Sequence, residues 1–394
     1  MIIWNRCWWF GVFLALVGVA AVHAAPKRVL ILHSFGRDFA PFDTMSSTFR
    51  TELARQSPEP VEFYEASIET ARFATVGNNE QLLNYLQTLF AGRPLDLIFT
   101  VAEPATFFCV QHRAELFPNT PLLAHVDHRQ IPLVRTATNA TINPVYIEVP
   151  VLAENILQVL PGTTNIVMVL GASPFERAWT DLCRSEFARF TNRVAFSYVN
   201  DLPLEKICEH VASLPPHSAV LYAMLAMDAA GVPYEQEKAL ASVRAAANAP
   251  VFGVFGSQLG QGIVGGPLLP LEDSARQAAR MGLRLLQGES VAAIPFPPPE
   301  PPPFVYAWRE LDRWNIPAAR LPTGGVVRYR PPSQWQEHKG IILTASAVIL
   351  AQTLTIAALL AARVRRQRSE AALRESEARM NLAAEAANLG LWVW

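Results

Sequence analysis

From Arg28 to Leu286 the chain alternates between short apolar runs and longer stretches whose apolar residues recur every three or four positions. Arg28-Val-Leu-Ile-Leu-His33 reads as a strand buried in a parallel sheet. Phe42, Met45, Phe49 and Leu53 then fall on one face of a helix. Residues 61–64 form the next strand, and Leu82, Leu83, Leu86, Leu89 and Phe90 the inner face of a second helix. The strand 95–101, a helix over 105–116 and a strand over 122–126 continue the pattern. Strand and helix in strict alternation predict a parallel sheet covered on both faces.

Near 145–149 the chain is expected to leave this lobe, and a second alternation begins. Strand 165–170 precedes a helix carrying Phe175, Trp179, Leu182 and Phe187. Strand 194–198 precedes one carrying Leu204, Ile207, Val211 and Leu214. Strand 219–223, an Ala-rich helix around 235–247 and strand 251–255 complete the set. Ile263-Val264 and the amphipathic helix 271–286 read as a return toward the first lobe. Arg276, Arg280 and Arg284 stripe that helix, ordinarily a solvated face. Residues 295–303, PFPPPEPPP, form a stiff extended segment read as a strap.

The pattern changes at residues 340–362, an apolar run without a charged residue. About 20 apolar residues suffice to cross a bilayer as a helix. Arg363, Arg365, Arg366 and Arg368 come directly after it, which places the tail inside and the preceding residues outside. At the other end, Arg6 precedes an apolar run from Cys7 to Val22, and Val22-His23-Ala24 resembles a cleavage site. Residues 1–25 are therefore a signal peptide or a first membrane helix, and both readings export the chain from residue 26 to the second apolar run.

Composition narrows the classes. A net charge of −1 with 17% charged residues gives no electrostatic case for a nucleic-acid partner. The exported stretch holds only Cys109, Cys183 and Cys208, an odd and sparse set that makes no disulfide framework. Cys183 and Cys208 fall in helix-like stretches where pairing is conceivable, but small buried apolar residues are the better reading.

Four segments carry a resemblance: VLILHSFGRDFAPF (29–42), FYEASIETARF (63–73), ENILQVLPGTTNIVMVLGASPFE (154–176) and GSQLGQGIVGGPLL (256–269). YAWRELDRWNI (306–316) fits the end of the same kind of domain. Together they resemble type I periplasmic binding proteins, and more closely the ABC-transporter-type substrate-binding regions fused to bacterial sensor histidine kinases. The resemblance implies an α/β fold, a two-lobed type I periplasmic-binding-protein-like domain over 26–335, followed by a transmembrane helix over 340–362. A cytoplasmic signalling helix would occupy 363–380. RMNLAAEAANLGLWVW resembles the opening of a PAS domain, so 381–394 reads as the truncated start of one. A receptor of this kind is expected to sit in the bacterial inner membrane, to pair as a homodimer, to bind a small molecule outside, and to continue into PAS and kinase modules. The alternative is a membrane-tethered solute-binding protein serving a transporter.

No motif points to catalysis or to a cofactor. Gly260-Gln-Gly262-Ile-Val-Gly265 matches a dinucleotide fingerprint as a string, but the fingerprint needs a strand before it and a helix opening within it. Pro267 blocks that helix, so a glycine-rich turn at a lobe crossing is expected. His125 and Asp127 share a strand face while His128 points elsewhere, and no distant Cys/His cluster completes a metal site.

Ligands of open α/β sheets bind beyond the carboxyl ends of the strands. Those ends nominate Ser34, Arg37, Glu103 and Asp127 in the first lobe, with Ser173, Asp228, Ser257 and Gln258 in the second. Arg37 would anchor a ligand carboxylate, and Asp127 an amine or hydroxyl. Loop bracing and helix capping compete for each; Ser173 before Pro174 is also a good N-cap.

Overall fold

The computed structural model describes residues 25–69, 78–296, 298, 300–331 and 334–386. The expected leader at 1–24 and the closing apolar run at 387–394 lie outside the described residues. The chain divides into two compact units at Arg330/Pro331.

Two parallel sheets make up most of the first unit. In the first lobe, β1 (Lys27–His33), β2 (Val61–Ser67), β3 (Leu97–Val101), β4 (Leu122–Asp127) and β5 (Ala140–Val145) lie in the order β2-β1-β3-β4-β5. Every neighbouring pair is parallel. The order reverses between β1 and β3, which opens a crevice at their carboxyl ends. Helices α1 (Phe42–Gln56), α2 (Asn78–Leu89), α3 (Glu103–Gln111) and the single turn α4 (Ile131–Val134) fill the connections.

The second lobe repeats the plan with one strand fewer. Here α5 (Val149–Val159), β6 (Asn165–Leu170), α6 (Pro174–Phe187), β7 (Ala195–Tyr198), α7 (Leu204–Ala212), β8 (Ser218–Met224), α8 (Gln236–Ala246) and β9 (Val251–Phe252) give the sheet order β7-β6-β8-β9. Its strand order reverses between β6 and β8.

Burial follows the sequence periodicity. Phe42, Met45, Phe49 and Leu53 are the buried face of α1, and Phe49 stacks on Phe99 of β3 with ring centroids 4.0 Å apart. Helix α9 (Leu271–Leu286) packs beside α1 on the first lobe, and its Ala275, Ala278, Ala279 and Gly282 keep the contact close. A Cβ on Gly282 would lie 3.1 Å from the Leu97 side chain. On the outer side, Arg276 pairs with Glu272 and Asp273, and Arg284 with Glu289, all on partly exposed side chains worth little to stability. Cys109 and Cys183 are buried, Cys208 is half-buried, and all three are free thiols.

A third sheet has no counterpart in the sequence pattern. Strand β10 (Gly265–Pro267) pairs antiparallel with β11 (Phe304–Ala307), and β11 pairs parallel with β12 (Val326–Arg328). Ile263-Val264, read as a strand from sequence, instead lead into β10. The glycine motif before it is a turn: Gly260, Gly262 and Gly265 have φ of +90°, +96° and +131°. A Cβ on Gly265 would collide with the Val305 carbonyl, so the β10–β11 pairing requires glycine there. After β11 come the short helix α10 (Trp308–Arg313) and the link to β12. Tyr306 is fully buried and donates its hydroxyl to Asn155 Oδ1 on α5, tying this sheet to the second lobe.

The chain therefore passes between the lobes three times. It leaves the first lobe after β5, returns between β10 and α9, and leaves again along the proline segment. Before that segment, the Ile294 carbonyl accepts from Thr141 of β5; after it, the Pro303 carbonyl accepts the Leu268 N–H. Tyr146, Leu269 and Pro302 from the three passages line shared cavities.

The second unit contains one described helix, α11 (Gln334–Ala386), of 53 residues. It is long and apolar enough to cross a membrane, and its apolar window is not buried within the structure. The apolar run and the Ala-, Glu- and Arg-rich segment are thus one uninterrupted helix.

Candidate functional site

The carboxyl ends of both sheets face a cleft with a cavity volume of about 80 Å3. The first lobe contributes Phe42, Glu103, His125 and Asp127; the second contributes Met168, Leu170, Phe175, Trp179, Val254 and Phe255. The lobes touch across it. Phe35 meets Phe175 edge to face at 5.1 Å, and Phe42 meets Phe255 at 6.1 Å. The structure is therefore closed, with a predominantly apolar interior.

Polar groups collect at one end, where β3 and β4 finish. Ala102, between β3 and α3, has φ +69°, an unfavourable conformation for a residue with a Cβ, and it lines the cleft. It turns the chain so that Glu103 opens α3 toward the interior. Burial and the neighbouring Asp127 carboxylate push the Glu103 carboxyl up to about 7, partly offset by a backbone hydrogen bond from Asp127 and by Arg129. Asp127 is itself buried. Its Oδ1 accepts the Arg129 N–H at 2.9 Å and Nε at 2.7 Å, and its Oδ2 accepts Nη2 at 3.2 Å. The Arg129 guanidinium also lies over Trp179, 5.4 Å from the ring centroid.

His125 is the most constrained group. Strand alternation puts it on the face of Leu123 and Asp127, toward the interior between the lobes. It is 3% exposed, and neither ring nitrogen has a hydrogen-bond partner. Burial brings its pKa down to about 3, so the ring is neutral across the physiological range.

The eight residues nominated from sequence separate into two groups. Glu103 and Asp127 line the cleft together. The others lie outside its lining. Ser34 Oγ donates to the Val101 carbonyl at 2.7 Å and accepts the Ala105 N–H at 2.9 Å, joining β1 to α3. Arg37 is 59% exposed and pairs with Glu65 at 3.4 Å, where Arg50 and His33 also converge. Ser173 caps α6 in a capping box with Glu176. Asp228 accepts from the Leu204, Ala230 and Val232 N–H groups and from the Tyr234 hydroxyl, which closes the 228–234 loop. Gln258 Oε1 accepts the Val254 and Phe255 N–H groups while Nε2 donates to the Ala223 carbonyl at 2.7 Å. Ser257 is exposed on the adjoining turn. Bracing of loops and capping of helices thus account for the contacts of this second group.

Phe175 and Trp179, inner-face residues in the helix pattern, are cleft walls, and Arg129, within the strand end that runs from Asp127 but not among the eight, backs the cleft. Sequence reasoning passed over Glu176, fully buried in the second lobe. Its Oε1 accepts the Ala226 N–H at 2.6 Å and its Oε2 the Ser173 N–H at 3.0 Å. Burial still pushes its carboxyl up. It clamps the ends of β6 and β8 at their reversal point. Among the described residues, no three His, Cys, Asp or Glu side chains are arranged to hold a metal ion.

The fold of the first unit is the α/β fold of periplasmic-binding-protein-like domains. A conserved domain protein from Vibrio cholerae superimposes with a TM-score of 0.58 at 16% identity, covering 77% of this chain and all of that one. An ABC domain in complex with L-Trp from Streptococcus pneumoniae gives 0.56 at 14%, again covering 77% and all. A ligand-free, open substrate-binding protein with adhesive properties from Clostridium difficile gives 0.52 at 14%, covering 76% and 98%. No family model matches the sequence, and none of the curated proteins does. The likeness is one of fold: parallel α/β sheets flanked by helices, in a chain with one helix, among the described residues, long and apolar enough to cross a membrane.

Proposed function

We propose that the chain is the sensing portion of a bacterial membrane receptor, placed in the inner membrane with its two-lobed domain in the periplasm. A small solute enters the cleft and stabilises the closed arrangement. A ligand shifts such an equilibrium only by its differential affinity for the two states. In this reading the difference comes from walls on opposite lobes that a bound solute touches together, Phe175, Trp179 and Phe255 against Phe42 and Glu103. Residues 340–362 carry the change across the bilayer to a cytoplasmic helix over 363–380, then to PAS and histidine-kinase modules, with two copies acting as a homodimer.

One observation carries this reading: an inter-lobe solute cleft shares its chain with a helix that is uncharged over 340–362 and dense in arginine directly after. The arginines favour the cytoplasmic side for the tail beyond residue 362. Reporter fusions after Trp335 and after Arg368 test it. The first is expected to be active only outside the cytoplasm and the second only inside; the same compartment for both overturns the receptor.

The second reading is a tethered solute-binding protein that feeds a transporter. Two of the structures with this fold, those from Streptococcus and Clostridium, are described as an ABC domain and a substrate-binding protein. Joining residues 1–368 to a kinase of known output separates the two. Solute-dependent output supports the receptor, whereas solute uptake that depends on this chain without any change in output supports transport.

A further inference from the structure

We propose that the cleft takes a small organic amine, a protonated nitrogen on an aromatic or branched apolar body, with no carboxylate of its own. This deepens the solute-binding reading and rests on it.

The polar end of the cleft is rich in acceptors and poor in donors. Glu103 and Asp127 offer only acceptors when ionised, and a neutral His125 ring offers one acceptor and one donor nitrogen. Among the described residues that line the cleft there is no lysine or arginine. Arg129 stands behind the lining, where its backbone N–H and two of its five guanidinium N–H groups are used on Asp127 and its face lies on Trp179. A ligand carboxylate would meet the Glu103 and Asp127 carboxylates in a lining that offers it no cation. A sugar would lay hydroxyls against Phe175, Trp179 and Phe255, where they find no partner, and unpaired buried polar groups are costly.

An ammonium group fits the same residues. It brings three donors to a place with carboxylate and imidazole acceptors, and its positive charge beside Glu103 would hold that carboxyl in its ionised form. The second, independent sign is His125, deeply buried in the lining with neither ring nitrogen satisfied, since buried side chains in this state mark a place where a partner is expected. The aromatic walls then receive the apolar body, and their faces suit a neighbouring cation.

The test uses the full chain in detergent micelles, titrated calorimetrically with phenethylamine, phenylacetate, L-phenylalanine and D-glucose. Phenethylamine is expected to bind at least about tenfold more tightly than the other three. Glu103→Gln should weaken it about tenfold or more, and His125→Phe should do the same by removing the second acceptor. Since Glu103→Gln removes a buried charge, it is expected to fold. Binding of phenylacetate, L-phenylalanine or D-glucose as tight as that of the amine, and lost in Trp179→Ala, overturns the amine proposal and leaves the solute cleft standing. Amine binding that neither variant alters places the amine elsewhere and also overturns it. Failure of all four to bind overturns the proposal and counts against the cleft itself.

Discussion

The guanidinium of Arg129, on the first lobe, lies 5.4 Å from the ring centroid of Trp179, on the second, while Arg129 holds Asp127 through three hydrogen bonds. One residue thus neutralises a carboxylate of the cleft and closes the seam between the lobes.

Removing its side chain should expose both roles. Arg129→Ala leaves Asp127 buried without its cation, and breaking such a pair costs about 3 kcal/mol. Arg129→Ala with Asp127→Asn should recover about half of that loss, because the uncompensated charge is gone. Chemical denaturation of the four species of this cycle checks it; a double variant as unstable as Arg129→Ala would show that charge is not the cause.

Glu103 and His125 should contribute to the pH dependence of stability with opposite signs. Glu103 rises from 4.5 to about 7 on folding, so the unfolded chain loses its proton first and stability falls as pH rises from 4.5 to 7. His125 drops from 6.5 to about 3, so the unfolded chain gains a proton first and stability falls as pH drops from 6.5 to 3. Between pH 4.5 and 6.5 the slopes oppose each other. Glu103→Gln should therefore make the slope of stability against pH more positive than in the unaltered chain across that window, by up to ~1.4 kcal/mol per unit. Melting temperatures of the chain and the variant across roughly pH 4–8 read this directly. Asp127 and Arg129, which face Glu103, stay unchanged in both proteins.

Gly265 and Gly231 make a matched pair of backbone tests. Both have positive φ, but a Cβ at Gly231 meets nothing within 4 Å whereas one at Gly265 collides with the Val305 carbonyl. Gly231→Ala should cost about 1 kcal/mol from conformation alone. Gly265→Ala must displace β11 and should cost more than about 3 kcal/mol. Equal losses in denaturation would remove the steric argument.

Asp228→Ala should lower stability by about 2–4 kcal/mol, since four donors around the 228–234 loop lose their acceptor. Any ligand that saturates the cleft should keep its affinity within about twofold, as Asp228 is not among the lining residues. A tenfold loss of affinity in the folded variant would restore Asp228 to the site.

The alternation of strands and helices was readable because burial imposes period on sequence. Phe42, Met45, Phe49 and Leu53 are buried where their spacing put them. The β10–β11–β12 sheet was not readable, since three-residue strands such as Gly265-Gly266-Pro267 have no period and pair over nearly 40 residues. For the cleft, the strand-end rule led to Glu103 and Asp127 but could not separate them from Ser34, Asp228 and Gln258. All sit at strand ends, and only tertiary contacts reveal which side chains turn back to satisfy the backbone. Trp179 and Arg129 were illegible for the converse reason. Their meeting joins residues 50 positions apart on different lobes, and no local pattern announces it.

The three chain passages at 146–149, 269–271 and 300–304 bear on what a closing motion can say. All three border the same two cavities, so they lie side by side rather than at opposite ends of the domain. One tether would let a lobe swivel freely, and two would still permit twist about the line through them. Three adjacent tethers, one stiffened by proline, leave little besides a single opening angle. In the proposed receptor, any ligand in the cleft would be reported as one number, and ligands of different shape would differ in their effect only through how far they turn that angle and how long they hold it.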